Sequence, residues 1–128
     1  MTCFWDGILH HLRDEDFQRV FQINKPSNKN FVKILKTNLR KTKDIIWNGE
    51  TLTNKQLEEN YEHIKDFNVD SIHGGYLCST CEPFLFLVCE LFKMNINHNY
   101  CGHMMSYKVT SPIRTLNFKS NSGHFSAC

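Results

Sequence analysis

Cys3 is the residue best suited to chemistry, because it stands at the entry to the amphipathic stretch that begins Met1-Thr2-Cys3-Phe4-Trp5. The first N–H groups of a helix have no partner within it and the helix dipole is positive there, so a thiol at that position becomes nucleophilic near neutral pH. Such a thiol needs a base, which can come from a distant part of the sequence. His124, in Gly123-His124-Phe125, is the candidate base. The alternative is that Cys3 is an unreactive small apolar residue.

Two other histidines lie close to Cys3 in sequence. His10 and His11 follow it by about two helical turns, or roughly 10 Å along a helix axis. That distance predicts that neither histidine serves as the base.

A second group of cysteines and histidines has a spacing near that of a zinc ribbon. Cys78-x2-Cys81 is followed, after nineteen residues, by Cys101-x-His103, and His73 and His98 lie nearby. Cys81, however, falls in the first turn of a predicted helix. We therefore expect these thiols to pack as small hydrophobic groups and predict neither a metal nor a cofactor, with a zinc-stabilised interaction module as the alternative.

Length and composition favour one domain over residues 1–128. The chain has 128 residues, 41% hydrophobic and 22% charged, which suits a globular protein with one core. A net charge of +2 gives no general attraction to nucleic acid. No signal-peptide pattern is present, and the longest apolar run, residues 84–89, is far shorter than a membrane span. We expect a monomer in the cytoplasm or another reducing compartment, with six reduced thiols and neither a nucleic-acid nor a membrane partner.

Apolar periodicity predicts helices in the first two thirds of the chain. One begins near Cys3, one follows the acidic cluster at 14–16 and ends near Asn24, and a third is capped by Ser27 or Asn28. A capping box formed by Thr53 and Gln56 starts a helix over 54–67. Ser79 and Glu82 have the same spacing and place Pro83 in the first turn of a central buried helix through residues 84–92.

Strands are predicted after that helix, at residues 94–98, 104–109, 113–118 and 124–127. Helices followed by a strand meander indicate an α+β fold. The predicted architecture is a central, mostly antiparallel sheet from the C-terminal half, packed between helices.

Three landmarks then occur in order. Cys3 is followed by apolar and aromatic residues at a helix start, Gly74-Gly75 precede an apolar helix and the strand residues 94–96, and the strand at 113–118 precedes His124-Phe125. Together they resemble the ovarian tumour (OTU) superfamily of cysteine proteases, mostly deubiquitinases, and more loosely the small OTU-like proteins of large DNA viruses.

The resemblance implies a set of roles. Cys3 is the nucleophile, His124 the general base and Phe125 the aromatic residue beside it. The orienting group often lies two residues after the histidine, which is Ser126 here, with Asn117 and Asn121 as substitutes. The substrate-binding residues implied are Trp5, His73, Gly74, Gly75, Tyr76 and Phe125. The family's Asp-Gly before the cysteine, which contributes to the oxyanion hole, has no counterpart in Met1-Thr2.

The implied activity is hydrolysis of (iso)peptide bonds after the C-terminal Gly-Gly of ubiquitin or a ubiquitin-like protein. The arginines of such a tail imply an acidic groove wall, for which the candidates are Asp14, Glu15, Asp16, Glu58, Glu59 and Glu62. A weak enzyme or an inactive ubiquitin-fold binder is the alternative.

Overall fold

The computed structural model describes residues 2–74, 76 and 78–128, and within them the predicted α+β class is confirmed. The helices are α1 Cys3–His11, α2 Asp14–Phe21, α3 Asn28–Thr37, α4 Asn54–Asp66 and α5 Cys78–Phe92, with a 3₁₀ helix at Val69–His73. The strands are β1 Ile46–Trp47, β2 Glu50–Thr51, β3 Met94–Tyr100, β4 His103–Lys108, β5 Arg114–Ser120 and β6 Phe125–Ala127.

Two predicted helix starts are confirmed by their capping bonds. Ser27 Oγ accepts from the N–H of Asn30 at 3.3 Å, at the start of α3. At the start of α4, Thr53 Oγ1 accepts from the N–H of Gln56 at 3.1 Å, and Gln56 Oε1 accepts from the N–H of Thr53 at 2.8 Å. These local signals fix where both helices begin. By contrast, α2 ends at Phe21, earlier than predicted, because Gln22 adopts a left-handed conformation with φ of 58°.

The predicted start of the central helix is wrong. α5 begins at Cys78, so Ser79 lies inside it and Pro83 falls beyond the first turn. Glu82 is engaged elsewhere, since its carboxylate accepts a hydrogen bond of 2.8 Å from the Tyr107 hydroxyl on β4. The capping-box spacing is therefore present in sequence, but its acidic member stabilises the contact between helix and sheet.

The six strands form one sheet in the order β2-β1-β4-β3-β5-β6. Neighbouring strands are antiparallel except β3 and β5, which are parallel. The predicted meander is wrong, because the chain leaves β4 and crosses to the far side of β3 before forming β5. The sheet also draws on the first half of the chain, since β1 and β2 form a hairpin through Asn48 and Gly49, both with positive φ (50° and 86°), as a type I′ turn requires.

α5 packs against β3 and β4, and its apolar residues lie at the centre of the hydrophobic core. At the other end of the sheet, α1 packs on the edge strand β6. None of the helices in the described ranges is long and apolar enough to cross a membrane.

A buried ion pair ties α2 to β5. Asp16 is 2% exposed and accepts hydrogen bonds from Arg114 at 2.7 and 2.9 Å and from Arg19 at 3.0 Å. Burial raises the pKa of this carboxyl, but the bonds from Arg114, the N–H of Arg13 and Arg19 outweigh that effect and bring the pKa down to about 2. Asp16 is therefore a structural anion and not part of an acidic groove wall, which corrects that expectation.

Candidate active site

One face of α1 lines a surface pocket. Cys3 is the first residue of the helix, and Asp6, Gly7 and His10 follow at spacings of three, four and seven residues, which place all four side by side along the helix. Thr2, which precedes the helix, makes no side-chain cap; its hydroxyl donates to Asp6 Oδ2 at 2.8 Å instead. The half-buried thiol of Cys3 thus lies at a helix start that the Thr2 side chain does not cap.

β6 and the residue before it line the opposite side of this pocket. His124 precedes β6 at the end of a turn in which Asn121 Oδ1 accepts from the N–H groups of Gly123 and His124, both at 2.9 Å. The N–H of Asn121 donates to the carbonyl of His124 at 3.0 Å. These bonds fix the backbone of His124 at the rim.

Gly7 allows the two sides to meet. A Cβ at this position would lie 3.0 Å from Cδ1 and 3.1 Å from Cε1 of Phe125, closer than ordinary van der Waals contact. Phe125 is 1% exposed, and its ring packs against Phe4 and Phe118 with centroids 4.8 and 5.0 Å apart. The absent side chain therefore lets α1 lie directly on β6.

The result is a pocket of about 310 Å³, here called the thiol pocket. The predicted nucleophile and base, which are remote in sequence, both line it, together with predicted Ser126 and Phe125. Its described lining residues are Cys3, Asp6, Gly7, His10, His124, Phe125, Ser126 and Ala127.

No hydrogen bond joins Cys3 Sγ to His124 among the residues that the structure describes. Catalytic hydrogen bonds are often long or poorly aligned in a free enzyme and shorten when substrate binds, so the lack of this bond does not disqualify the pair. A thiol and an imidazole in one pocket can perform nucleophilic acyl transfer, in which the imidazole takes and returns the thiol proton.

The three candidates for orienting His124 are placed differently. Ser126 lines the thiol pocket, two residues along β6 from His124. Asn121 lies near His124, but its oxygen is occupied by the two turn bonds. Asn117 does not line the thiol pocket, and its Oδ1 accepts from Asn97 Nδ2 at 3.3 Å. Ser126 is thus the candidate that lines a pocket with His124 and whose hydroxyl forms no hydrogen bond with another described residue.

Two of the predicted substrate-binding residues belong to the core instead. Trp5 and Tyr76 are each 3% exposed and line neither the thiol pocket nor its neighbour described below. The indole of Trp5 packs edge-to-face on Phe84, with centroids 4.8 Å apart. An aromatic residue in the first turn of an amphipathic helix can lie on the apolar or on the exposed face, and the Trp5 indole lies on the face that packs against the core.

Of the predicted glycine-pair segment, His73 and Gly74 are exposed at the end of the 3₁₀ helix and are not among the residues that line the thiol pocket. Gly75 lies outside the described residues. Phe125 lines the pocket, but its ring is almost fully buried, so it shapes the floor.

A second depression, the polar pocket, adjoins the thiol pocket and shares His124 and Ser126 with it. Its volume is about 260 Å³, and its further lining residues are Asn99, Lys119, Ser120 and Asn121. Sequence reasoning did not find it, because it depends on the pairing of β3 with β5 and of β5 with β6.

A buried histidine supports the floor of the polar pocket. His98 is fully buried, and its Nε2 lies 2.6 Å from Ser120 Oγ, which in turn donates to the Tyr76 hydroxyl at 3.3 Å. Burial lowers the pKa of His98 to about 4, so the ring is neutral near pH 7. His98 is therefore a structural hydrogen-bonding residue at neutral pH.

The residues of the zinc alternative do not form a metal site in the described part of the chain, where no three His, Cys, Asp or Glu side chains are grouped to hold a metal ion. Cys81 is buried in the core and Cys101 is exposed on the β3–β4 turn. Burial raises the pKa of the Cys78 thiol, which disfavours the thiolate that a metal needs.

The other acidic candidates are dispersed. Glu58 pairs with Lys41 at 2.7 Å, while Glu59 and Glu62 line a shallow surface depression with Asp66. That depression shares no lining residue with the thiol pocket.

Sequence reasoning missed Asp6, Gly7 and His10 as lining residues. Their signal was the spacing from Cys3, which places them on its side of the helix. His10 is far from Cys3 along the axis, as expected, yet it lies at the other end of the same pocket.

Comparison with protein-family models, with curated proteins and with solved structures gave no significant match.

Proposed function

We propose that the protein is an OTU-like cysteine protease that hydrolyses (iso)peptide bonds after the C-terminal Gly-Gly of ubiquitin or a ubiquitin-like protein. The observation that carries the proposal is that Cys3 and His124 line one pocket. The order of sequence landmarks that resembles the OTU superfamily supports the substrate class.

In the first half of the reaction, His124 takes the proton of the Cys3 thiol and the sulfur attacks the scissile carbonyl carbon. The carbon–nitrogen bond breaks as His124 returns the proton to the leaving amine. In the second half, His124 deprotonates a water that attacks the thioester. The carbon–sulfur bond breaks, the sulfur recovers its proton from His124, and the product leaves as a carboxylic acid that loses its proton to the solvent.

The start of α1 offers the groups that this reaction needs around the carbonyl. The first N–H groups of a helix are unpaired within it, and the Thr2 side chain does not cap them. Such N–H groups, at the positive end of the helix, would stabilise the oxyanion that forms on the carbonyl oxygen.

The test is a ubiquitin whose C-terminal glycine carries an electrophile. We expect one adduct, located by mass spectrometry on Cys3 and abolished by Cys3→Ser. Matched controls are Cys101→Ser and Cys128→Ser, because both of these thiols are more exposed than Cys3 yet line neither pocket. His124→Gln should slow the adduct by about 10²-fold or more, the usual contribution of a general base. An adduct on another cysteine would contradict the assignment.

A non-catalytic ubiquitin-fold binder is the second candidate, favoured by the missing hydrogen bond between Cys3 and His124 in the described structure. It predicts saturable binding of unmodified ubiquitin, or a ubiquitin-like protein, without an adduct from the corresponding electrophile. Adduct formation at Cys3 excludes it.

A further inference from the structure

We infer that the polar pocket is the subsite for the leaving group of the reaction and that it selects leaving groups bearing a carboxylate, which bind through Lys119 and two asparagine amides. The inference rests on the proposed thiol chemistry for its place in the reaction. The pocket's preference for a carboxylate follows from its own geometry.

The position of the pocket relative to the catalytic pair gives its place in the reaction. The acyl carbon must lie at Cys3 Sγ, and the leaving nitrogen must lie within reach of the imidazole that protonates it. The polar pocket shares His124 with the thiol pocket but is not lined by Cys3. The part of the substrate on the nitrogen side of the scissile bond therefore extends from Cys3 past His124 and enters the polar pocket.

The sheet register places three of its side chains in one row. Asn99 on β3 pairs with Lys119 on β5, and Lys119 pairs with Ser126 on β6. Residues directly opposite each other project from the same face of a sheet, so these side chains form a continuous polar floor.

The floor offers hydrogen-bond donors. Asn99 Oδ1 accepts from the N–H of Gly102 at 2.9 Å, and Asn121 Oδ1 accepts from two turn N–H groups. With both oxygens used by backbone, each amide has its NH₂ group left to donate. Lys119 adds an exposed ammonium, which forms no ion pair with any residue of the described chain.

The ionisable side chains that line the polar pocket in the described structure are all basic. Its described lining contains Lys119 and His124 but no carboxylate. When His124 holds the thiol proton it is a second cation at the pocket rim. Donors that surround a cation match the acceptor oxygens of a carboxylate and reject a basic group. The ligand is thus an acidic side chain near the released amine, or the α-carboxylate of the released residue.

The binding test does not depend on catalysis. Three small probes are titrated into the full-length protein, with NMR detection of the side-chain amides of Asn99 and Asn121: acetyl-glutamate α-amide, acetyl-glutamine with a free α-carboxylate, and the neutral acetyl-glutamine α-amide. We expect saturable shifts with one or both anionic probes and none with the neutral probe; which anionic probe binds identifies the source of the carboxylate. Lys119→Ala should weaken binding by about fivefold, as for one exposed charged contact. Lys108→Ala, an exposed lysine on β4 outside both pockets, should leave binding unchanged.

A kinetic test uses a pair of substrates that differ only in the carboxylate that the binding test identifies: Glu or Gln beside the scissile amine, or a free or amidated α-carboxylate on the released residue. The charged substrate should have a kcat/KM about fivefold higher. Lys119→Ala should remove the preference and Lys119→Glu should reverse it. Equal shifts with charged and neutral probes, or no shifts, overturn the inference even if the ubiquitin electrophile labels Cys3. Conversely, selective shifts without labelling of Cys3 would support the carboxylate site and contradict the protease assignment.

Discussion

Replacing Gly7 by alanine tests whether the contact between α1 and β6 assembles the thiol pocket. The new Cβ would lie 3.0 Å from the Phe125 ring and 3.5 Å from the N atom of Ala127. The ring has little room to retreat, because it also packs against Tyr76 and His98, with centroids 5.2 and 5.3 Å away. The strain must therefore be relieved by moving the helix away from the strand.

Two opposing effects determine how much Gly7→Ala changes the free energy of unfolding. Alanine is favoured over glycine inside a helix by about 1 kcal/mol. Inserting a methyl group into a well-packed contact costs about 1–3 kcal/mol. We expect Gly7→Ala to lower the free energy of unfolding by about 1 kcal/mol, whereas an open site would raise it by a similar amount.

Urea unfolding of the variant measures this difference. Gly123→Ala is the control, because a Cβ there has no atom within 4 Å, and its free energy of unfolding should change by less than about 0.5 kcal/mol. A shift of 1 Å in catalytic geometry can cost about 10²-fold, so labelling of Cys3 in folded Gly7→Ala should slow at least tenfold. A variant more stable than the parent that labels Cys3 at the same rate would refute the reasoning.

Three further predictions concern single side chains. The depressed pKa of Asp16 contributes stability above about pH 4 that is lost as the pH falls toward 2; it amounts to about 2 kcal/mol, and acid unfolding of Asp16→Asn should lack it. The pKa of His98 is about 4 in the folded chain and 6.5 in the unfolded chain, so the unfolded chain binds the proton more readily and the free energy of unfolding should fall by about 3 kcal/mol as the pH falls from 6.5 to 4. His98→Gln should remove this pH dependence in urea unfolding measured at a series of pH values. A pH dependence that persists in the variant would assign it to another group. Ser126→Ala should lower turnover about tenfold, or ~1.4 kcal/mol, whereas Ser126→Asp should raise it by pairing with imidazolium; unchanged kinetics in both variants would exclude Ser126 as the orienting residue.

Local features of the fold were predictable because their causes lie within a few residues. The box of Thr53 and Gln56 starts α4 as the sequence indicates. The apolar run in α5 is buried as its composition requires. The positions of the four strands after α5 also followed from alternation and turn residues, to within two residues at each end, whereas β1 and β2 were not predicted.

Strand order was not predictable in the same way. Periodicity states which face of a strand is apolar but not which strand lies beside it. The parallel pairing of β3 with β5 follows from the chain crossing after β4, and that crossing passes through Ser111 with φ of 53°. A serine in a left-handed conformation is not distinguishable in sequence from one in an ordinary turn.

In the candidate site, too, local features were predictable from the sequence and contacts between distant elements were not. The helix-start position predicted for Cys3 is observed, but whether Trp5 faces a ligand or the core depends on rings that come from other elements. Phe31, Phe67 and Phe84 surround its indole and settle that it faces the core. The polar pocket needs three strands in register, so no single stretch of sequence contains it.

His124 directly precedes β6, a short edge strand, so the assembly of the thiol pocket depends on how firmly that strand is held. β6 has three residues and pairs with β5 alone, so few backbone hydrogen bonds hold it. The thiol pocket joins segments separated by almost the whole chain, and contacts of such long sequence separation are slow to form. Edge segments with few bonds open at a lower free energy than the core. Detachment of β6 would part His124 from Cys3, but it would also expose the Phe125 ring, which is 1% exposed in the folded chain. The thiol pocket therefore stays assembled through the packing of one aromatic ring and not through the backbone hydrogen bonds of the strand.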